Sequence, residues 1–202
     1  MSLPQRLVLA TNNPKKLAEL RRIVELAGLT VEVLGLGDFE RYPEPDETER
    51  TFEGNAFLKA TAAARETGLT AIADDSGLEV DELNAMPGVR SARWAGPACD
   101  DEENNALLLA QLDGVPVERR GARFVCALAL VTPQGERRVW HGYMRGHITE
   151  TPAGEHGFGY DPLFVPAGLD VTSAELTPAE KDSISHRGHA VRAFVEHLRS
   201  LS

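Results

Sequence analysis

The sequence predicts an α/β domain built on a mixed β-sheet. Strand-length apolar runs alternate with helix-length amphipathic ones through the first part of the chain. Two longer β-rich runs then face each other across Pro133-Gln134-Gly135, as a hairpin would. No repeat, low-complexity tract or linker interrupts the 202 residues, so a single domain over 1–202, with room for a cleft between two lobes, is expected.

Residues 6–10 read as a first buried strand. Asn13 is then a good N-cap, Pro14 fits the first helical position, and Leu17, Leu20, Ile23 and Val24 keep helical spacing up to Gly28. Residues 31–34 form a second strand. Residues 35–50 mix glycines and prolines with Asp38, Glu40, Glu44, Asp46, Glu47 and Glu49, and are expected to be loop. A helix over 52–66 stops at Gly68. Leu69-Thr70-Ala71-Ile72-Ala73 is a short strand expected to run out at Asp74-Asp75, where Gly77 permits a tight turn before Leu78-Glu79-Val80 begins another.

Residues 86–97 are expected to be loop. A helix capped by Asp100 carries Leu107 to Leu112 and ends near Gly114. The hairpin spans 122–132 and 137–148. Residues 154–166 are rich in glycine and aromatics, with Phe164-Val165 as a short strand. Thr177-Pro178-Ala179-Glu180 is a capping box, and a last amphipathic helix sets Val191, Phe194, Val195, Leu198 and Leu201 at core spacing.

A formal net charge of -10 argues against a general nucleic-acid or membrane-surface binder, which needs a basic footprint. It leaves open a polyanionic small ligand held in a locally basic pocket. Cys99 and Cys126 have no paired spacing, and Cys126 sits in an apolar run as a core thiol. The N-terminus has no signal-peptide pattern and no run reaches membrane-spanning length, so a soluble cytoplasmic protein is expected.

Five segments carry chemistry. Ala73-Asp74-Asp75-Ser76-Gly77 fixes two adjacent carboxylates, whose repulsion a cation or a shared proton must resolve. Hard oxygen donors of this kind suit magnesium together with substrate phosphates, although a solvated turn has the same composition. Thr11-Asn12-Asn13-Pro14-Lys15-Lys16 delivers a strand to a helix N-terminus, an anion-attracting end, and places two lysines where cations disfavour the helix. A phosphate ligand or a solvated first turn would explain them. Glu40, Glu44, Asp46 and Glu47 are possible partners for Asp75 around a metal, and spacing does not choose among them.

Gly157-Phe158-Gly159-Tyr160-Asp161-Pro162 sets aromatics between glycines, as a base-stacking loop or as plugs of a sheet edge. Lys181, His186 and Arg187 form a compact donor set before the last helix. They suit triphosphate oxygens or a purine edge.

Taken together, these segments resemble the inosine triphosphatase family of non-canonical purine nucleoside triphosphate pyrophosphatases. The resemblance runs in family order through Thr11 to Lys16, Thr51-Phe52-Glu53-Gly54-Asn55-Ala56 with Lys59-Ala60, Ala73 to Leu78, Pro87 to Arg93, Gly157 to Pro162 and Ser185-His186-Arg187-Gly188. It implies an elongated α/β fold with a long mixed sheet, two lobes and an active-site cleft between them. It also implies a magnesium-dependent homodimer that hydrolyses ITP, dITP and XTP to the monophosphate and pyrophosphate. Carried onto this chain, Asp75 is the catalytic carboxylate and a metal ligand. Thr11, Asn12, Asn13, Pro14, Lys15 and Lys16 hold the triphosphate, with Ser76 beside it. Phe158, Gly159, Tyr160 and Asp161 contact base and sugar, and Lys181, His186 and Arg187 complete recognition. The family's second metal-binding glutamate falls best on Glu47 and next on Glu40. Rival readings are a pyrophosphatase for another modified or pyrimidine triphosphate, a non-catalytic nucleotide-binding module, and a metal-dependent nuclease, which the acidic charge opposes.

Overall fold

Parallel pairing organises the first part of the chain. In the computed structural model, which describes residues 3–201, β1 (Arg6–Leu9) lies between two parallel partners, β2 (Glu32–Gly35) and β3 (Thr70–Val80). Helix α1 (Pro14–Leu26) connects β1 to β2, and α2 (Phe52–Thr67) precedes β3. The first connection runs from β1 out to β2, and the second returns from β2 across β1 to β3, in the opposite direction along the sheet. Right-handed crossovers therefore set α1 and α2 on opposite faces. Such a divergence, at the carboxyl end of β1, is where open α/β sheets bind ligands.

The sheet continues in the order β2-β1-β3-β5-β6-β7, with β5 spanning Gly121–Val131, β6 Arg137–Ile148 and β7 Phe164–Pro166. A short antiparallel strand, β4 (Met86–Pro87), pairs with the end of β3. The turn of the β5–β6 hairpin closes with Thr132 N–H donating to the Glu136 carbonyl at 3.0 Å. β7 adds antiparallel to β6, with His147 opposite Val165. The remaining helices are α3 (Asp101–Gln111), α4 (Pro178–Ile184) and α5 (His186–Arg199).

The chain forms two compact units, one from Met1–Asp75, Ala127–His141 and His189–Ser202, the other from Ser76–Cys126 and Gly142–Gly188. Neither is a continuous segment, which is why no linker marks a boundary in the sequence. The first unit buries Leu7, Leu9, Leu20, Ile72 and Phe194 completely. The core of the second gathers Leu78, Leu108, Phe124, Met144 and Phe164, the two phenylalanine rings tilted at 4.7 Å between centroids. Cys126 is fully buried and in no disulfide, as its apolar run predicts.

Caps account for the helix limits. Asn13 Oδ1 accepts from the Lys15 and Lys16 amides, Thr51 Oγ1 from the Gly54 amide and Asp100 from the Glu102 and Glu103 amides. Thr177 and Glu180 make the reciprocal capping box, and Gly68 ends α2 in the left-handed conformation. Past Gly35, which ends β2, residues 36–50 are irregular apart from a 3-10 turn over Leu36–Asp38.

Two expectations are corrected. Asp74-Asp75 is not a turn: β3 runs unbroken for 11 residues with both acids inside it. A turn signal of Asp, Ser and Gly gives way here because each acid finds a cation in the fold, which removes the need to reach solvent. The loop expected over 86–97 holds β4 and a 3-10 segment, Gly88–Arg93.

Thr51→Ala should lower unfolding free energy by about 1 kcal/mol in urea titrations, since it removes the cap of α2. Gly146→Ala should cost more, because a Cβ there runs into the Val165 carbonyl of the adjoining strand. Equal midpoints for the two variants would contradict that ordering.

Candidate active site

The site is built around two buried carboxylates on consecutive residues of one strand. Side chains alternate across a strand, so Asp74 and Asp75 project to opposite faces. On the α1 side, Lys16 Nζ meets Asp74 Oδ2 at 2.5 Å, with the Asp74 side chain 2% exposed. From α2, Lys59 Nζ lies 3.0 Å from Asp75 Oδ1, and Asn55 Nδ2 donates to Asp75 Oδ2 at 3.2 Å. Lys59 Nζ also meets Glu47 Oε1 at 3.1 Å, so one ammonium bridges the two carboxylates.

Asn55 is fully buried and ties the acidic loop to the site: its Oδ1 accepts from the Glu49 amide at 3.0 Å. Burial pushes the Asp75 carboxyl above its ordinary value. Lys59 opposes that rise and the nearby Glu47 charge adds to it. Burial also works to lower the Lys59 ammonium, but the Asp75 charge and hydrogen bond, then Glu47 and Asp74, outweigh it and leave Lys59 raised.

The turn from β1 into α1 runs alongside, with the Ala10 amide donating to the Ile72 carbonyl at 2.8 Å. Thr11 Oγ1 accepts from the Asn13 amide at 3.2 Å. The first free amides of the helix, expected to face an anion, are taken by the Asn13 side chain. Asn12 Nδ2 donates to Glu44. Asn12, Asn13, Pro14 and Lys15 are exposed, while Lys16 is half-buried on Asp74.

In the second unit, Phe158 stands 75% exposed at the head of its loop. Asp161, buried, accepts from the Phe158 amide at 2.9 Å and from Lys181 Nζ, and the Lys181 ammonium lies 5.1 Å from the Phe158 ring centroid. Gly159 is held at both ends, its carbonyl by Asn105 Nδ2 at 2.9 Å and its amide by Asp101 Oδ2 at 2.6 Å. Tyr160 is buried, and its hydroxyl donates to the Ser91 carbonyl at 2.8 Å. Burial, with the Asp101 charge, pushes that phenol up.

His186 stacks on Phe124 at 5.1 Å, and Arg187 is buried, which pulls its guanidinium down to about 10 and leaves it cationic at neutral pH. Ser185 Oγ caps α5 by accepting from the Gly188 amide. Ser76 Oγ is buried without a hydrogen-bond partner among the described residues.

The structure thus joins Asp75, Glu47 and Lys16 of the sequence-derived set in one neighbourhood of the first unit. It groups Phe158, Asp161 and Lys181 in the second. Glu47 shares a lysine with Asp75, whereas Glu40 is exposed and Glu44 serves Asn12. Two contributors were missing from the sequence-derived site, Asn55 and Lys59. Their signal was an i, i+4 pair of polar residues on a helix face otherwise lined by Phe52, Ala56, Ala60 and Ala63. A buried Asn there requires partners.

As to magnesium, the donor chemistry fits: Glu47 and Asp75 face a common cation, at present the Lys59 ammonium. Among the described residues no group of three or more acids, imidazoles or thiols is arranged to hold a metal. Two carboxylates completed by phosphate oxygens is the arrangement magnesium commonly takes.

Fold and site together define an α/β protein with a lysine-bridged carboxylate site where two crossovers diverge. Residues 7–197 match the model of the Ham1 family, and the chain belongs to that family. It is 59% identical to the dITP/XTP pyrophosphatase of Frankia alni, with 97% of this chain and 98% of the relative covered. With that of Mycobacteroides abscessus the identity is 55%, over 97% and 96%. Among solved structures, it superposes on the Staphylococcus aureus Ham1 protein with a TM-score of 0.90 at 39% identity, covering 98% of this chain and 100% of the other. The crystal structure of a nucleoside-triphosphatase / dITP/XTP pyrophosphatase from Mycobacterium abscessus gives 0.83 at 55%, covering 96% and 99%.

Because burial raises its folded-state pKa, protonated Asp75 favours folding, and that contribution fades as pH climbs through the folded value. Asp75→Asn should therefore melt no lower than the parent protein at pH 7 without divalent metal. A markedly lower melting temperature would show that the ion pair with Lys59 outweighs the cost of burial.

Proposed function

We propose that this chain hydrolyses the non-canonical purine nucleoside triphosphates ITP, dITP and XTP to the monophosphate and pyrophosphate, clearing deaminated purines from the nucleotide pool. The observation that carries this reading is the buried Asp74-Asp75 pair, with Lys16 and Lys59 converging on it beside the N-terminus of α1. Family membership and relatives named as dITP/XTP pyrophosphatases support it.

Water attacks the α-phosphorus in line, the bond from that phosphorus to the bridging oxygen breaks, and pyrophosphate departs. Asp75, made more basic by burial, orients the water and takes its proton. Lys16 stabilises charge gathering on the leaving pyrophosphate, and the turn of Thr11 to Lys15 binds the phosphates. Glu47 and Asp75 would hold magnesium. When bound, magnesium neutralises phosphate oxygens and lowers the pKa of the attacking water.

In the second unit, the exposed Phe158 ring suits stacking on a purine, and Lys181, His186 and Arg187 are donors for a 6-oxo group. Adenine, with an amine at that position, would leave buried donors unpaired, and such mismatches are expensive. Tyr160 and Asp161, buried and bonded within the loop, shape that platform. A homodimer located in the cytoplasm belongs to the same reading. Among the described residues no helix is long and apolar enough to cross a membrane.

Initial rates with magnesium should be high on ITP, dITP and XTP and low on ATP and GTP, with pyrophosphate as product. Orthophosphate release, or equal use of ATP, would refute the assignment. Asp75→Asn should lower kcat by about 10²–10⁴-fold while nucleotide affinity changes little, and near-normal turnover would remove Asp75 from its central role.

A further inference from the structure

Asp74 is the more deeply buried of the two carboxylates, and the position it occupies sets Lys16. Lys16 lies in the first turn of α1, where the positive end of the helix dipole repels an ammonium. α1 has no acidic residue in that turn to compensate. Left to its own helix, this flexible side chain would extend toward solvent. Instead it is drawn onto the sheet, where its ammonium meets a carboxylate oxygen at 2.5 Å and its side chain is 29% exposed.

We infer that Asp74 is a positioning residue: it anchors the Lys16 ammonium beside the α1 N-terminus, so that its cationic charge is fixed where the departing pyrophosphate becomes most negative. An ammonium with three donors can bond Asp74 and phosphate oxygens together. A charge held in place before reaction stabilises a transition state without reorganising, and that benefit is lost when the side chain is free to swing. Asp74 also contributes to holding Lys59 charged, yet Lys59 has its own nearer partners in Asp75 and Glu47. Removal of Asp74 therefore takes from Lys16 the buried carboxylate that holds its ammonium, and leaves Lys59 with Asp75 and Glu47. Adjacent in sequence, the two acids divide the work: Asp75 handles the attacking water, and Asp74 acts on the leaving side through a lysine.

This inference rests on the proposed pyrophosphatase reading, and a double-mutant cycle separates the two. Steady-state rates on ITP with magnesium are measured for the parent protein, Asp74→Asn, Lys16→Ala and the double variant, with melting curves for each. Asp74→Asn should lower kcat by about ten- to a hundredfold with KM shifted far less, as expected for misplacement of a catalytic group. In the Lys16→Ala background the same change should cost almost nothing, because the group it positions is gone.

If the full loss persists in that background, Asp74 acts on its own account and the inference fails. Undiminished kcat in the single variant would overturn it too. If Asp74→Asn proves unstable, Asp74→Ser takes its place in the cycle, with the same outcomes decisive. Failure of the parent protein itself to release pyrophosphate from ITP would overturn both this inference and the reading beneath it.

Discussion

Burying two carboxylates side by side in one strand is the constraint on which the rest of the first unit depends. An ionised carboxylate taken out of water without a partner costs several kcal/mol in real proteins, on the order of the whole stability of a domain. Consecutive strand residues face opposite ways, so one helix cannot serve both acids. The chain meets this with two helices on the two faces of the sheet. α1 supplies Lys16 to Asp74, and α2 supplies Lys59 and Asn55 to Asp75. Right-handed crossovers running in opposite directions along the sheet are what put a helix on each face. The arrangement that solves the burial problem is thus also a switch point of the kind at which open α/β sheets bind ligands.

The pairing is also unequal. Asp74 has a short contact to one lysine, whereas Asp75 shares its lysine with Glu47 and takes an amide on its other oxygen. Burial, with a second carboxylate nearby, raises the Asp75 carboxyl above its ordinary value. An ammonium bridging Glu47 and Asp75 marks a place where two carboxylates already converge on positive charge, the electrostatic condition for a hard cation.

The second unit repeats the device with different parts. Asp161 is buried where the Phe158 amide and the Lys181 ammonium both reach it, so a single carboxylate fixes a loop, a ring and a cation relative to one another. Gly157 has a positive φ of 84° and would drive a Cβ into the Asp161 side chain, which explains glycine at that point of the loop. Tyr160 spends its hydroxyl on Ser91 and its ring on the core, so of the two aromatics only Phe158 presents its face to solvent.

By itself the sequence determined what local chemistry can determine. Asn13, Thr51, Asp100 and Thr177 start their helices because a side-chain oxygen within reach of free amides is a short-range fact, and Gly68 stops one for a similar reason. The β5–β6 hairpin, the buried face of α5 and the family to which the chain belongs were legible in the same way. Tertiary structure alone decided the path of β3, because Asp74-Asp75 looks like a turn until Lys16 and Lys59, distant in the chain, arrive to neutralise it. It also decided that Glu47 rather than Glu40 stands by Asp75, that Asn55 links the acidic loop to that carboxylate, and that Tyr160 turns inward. Each of these rests on contacts between residues far apart in sequence, and a charge buried by one segment can be balanced only when the fold brings its partner from another.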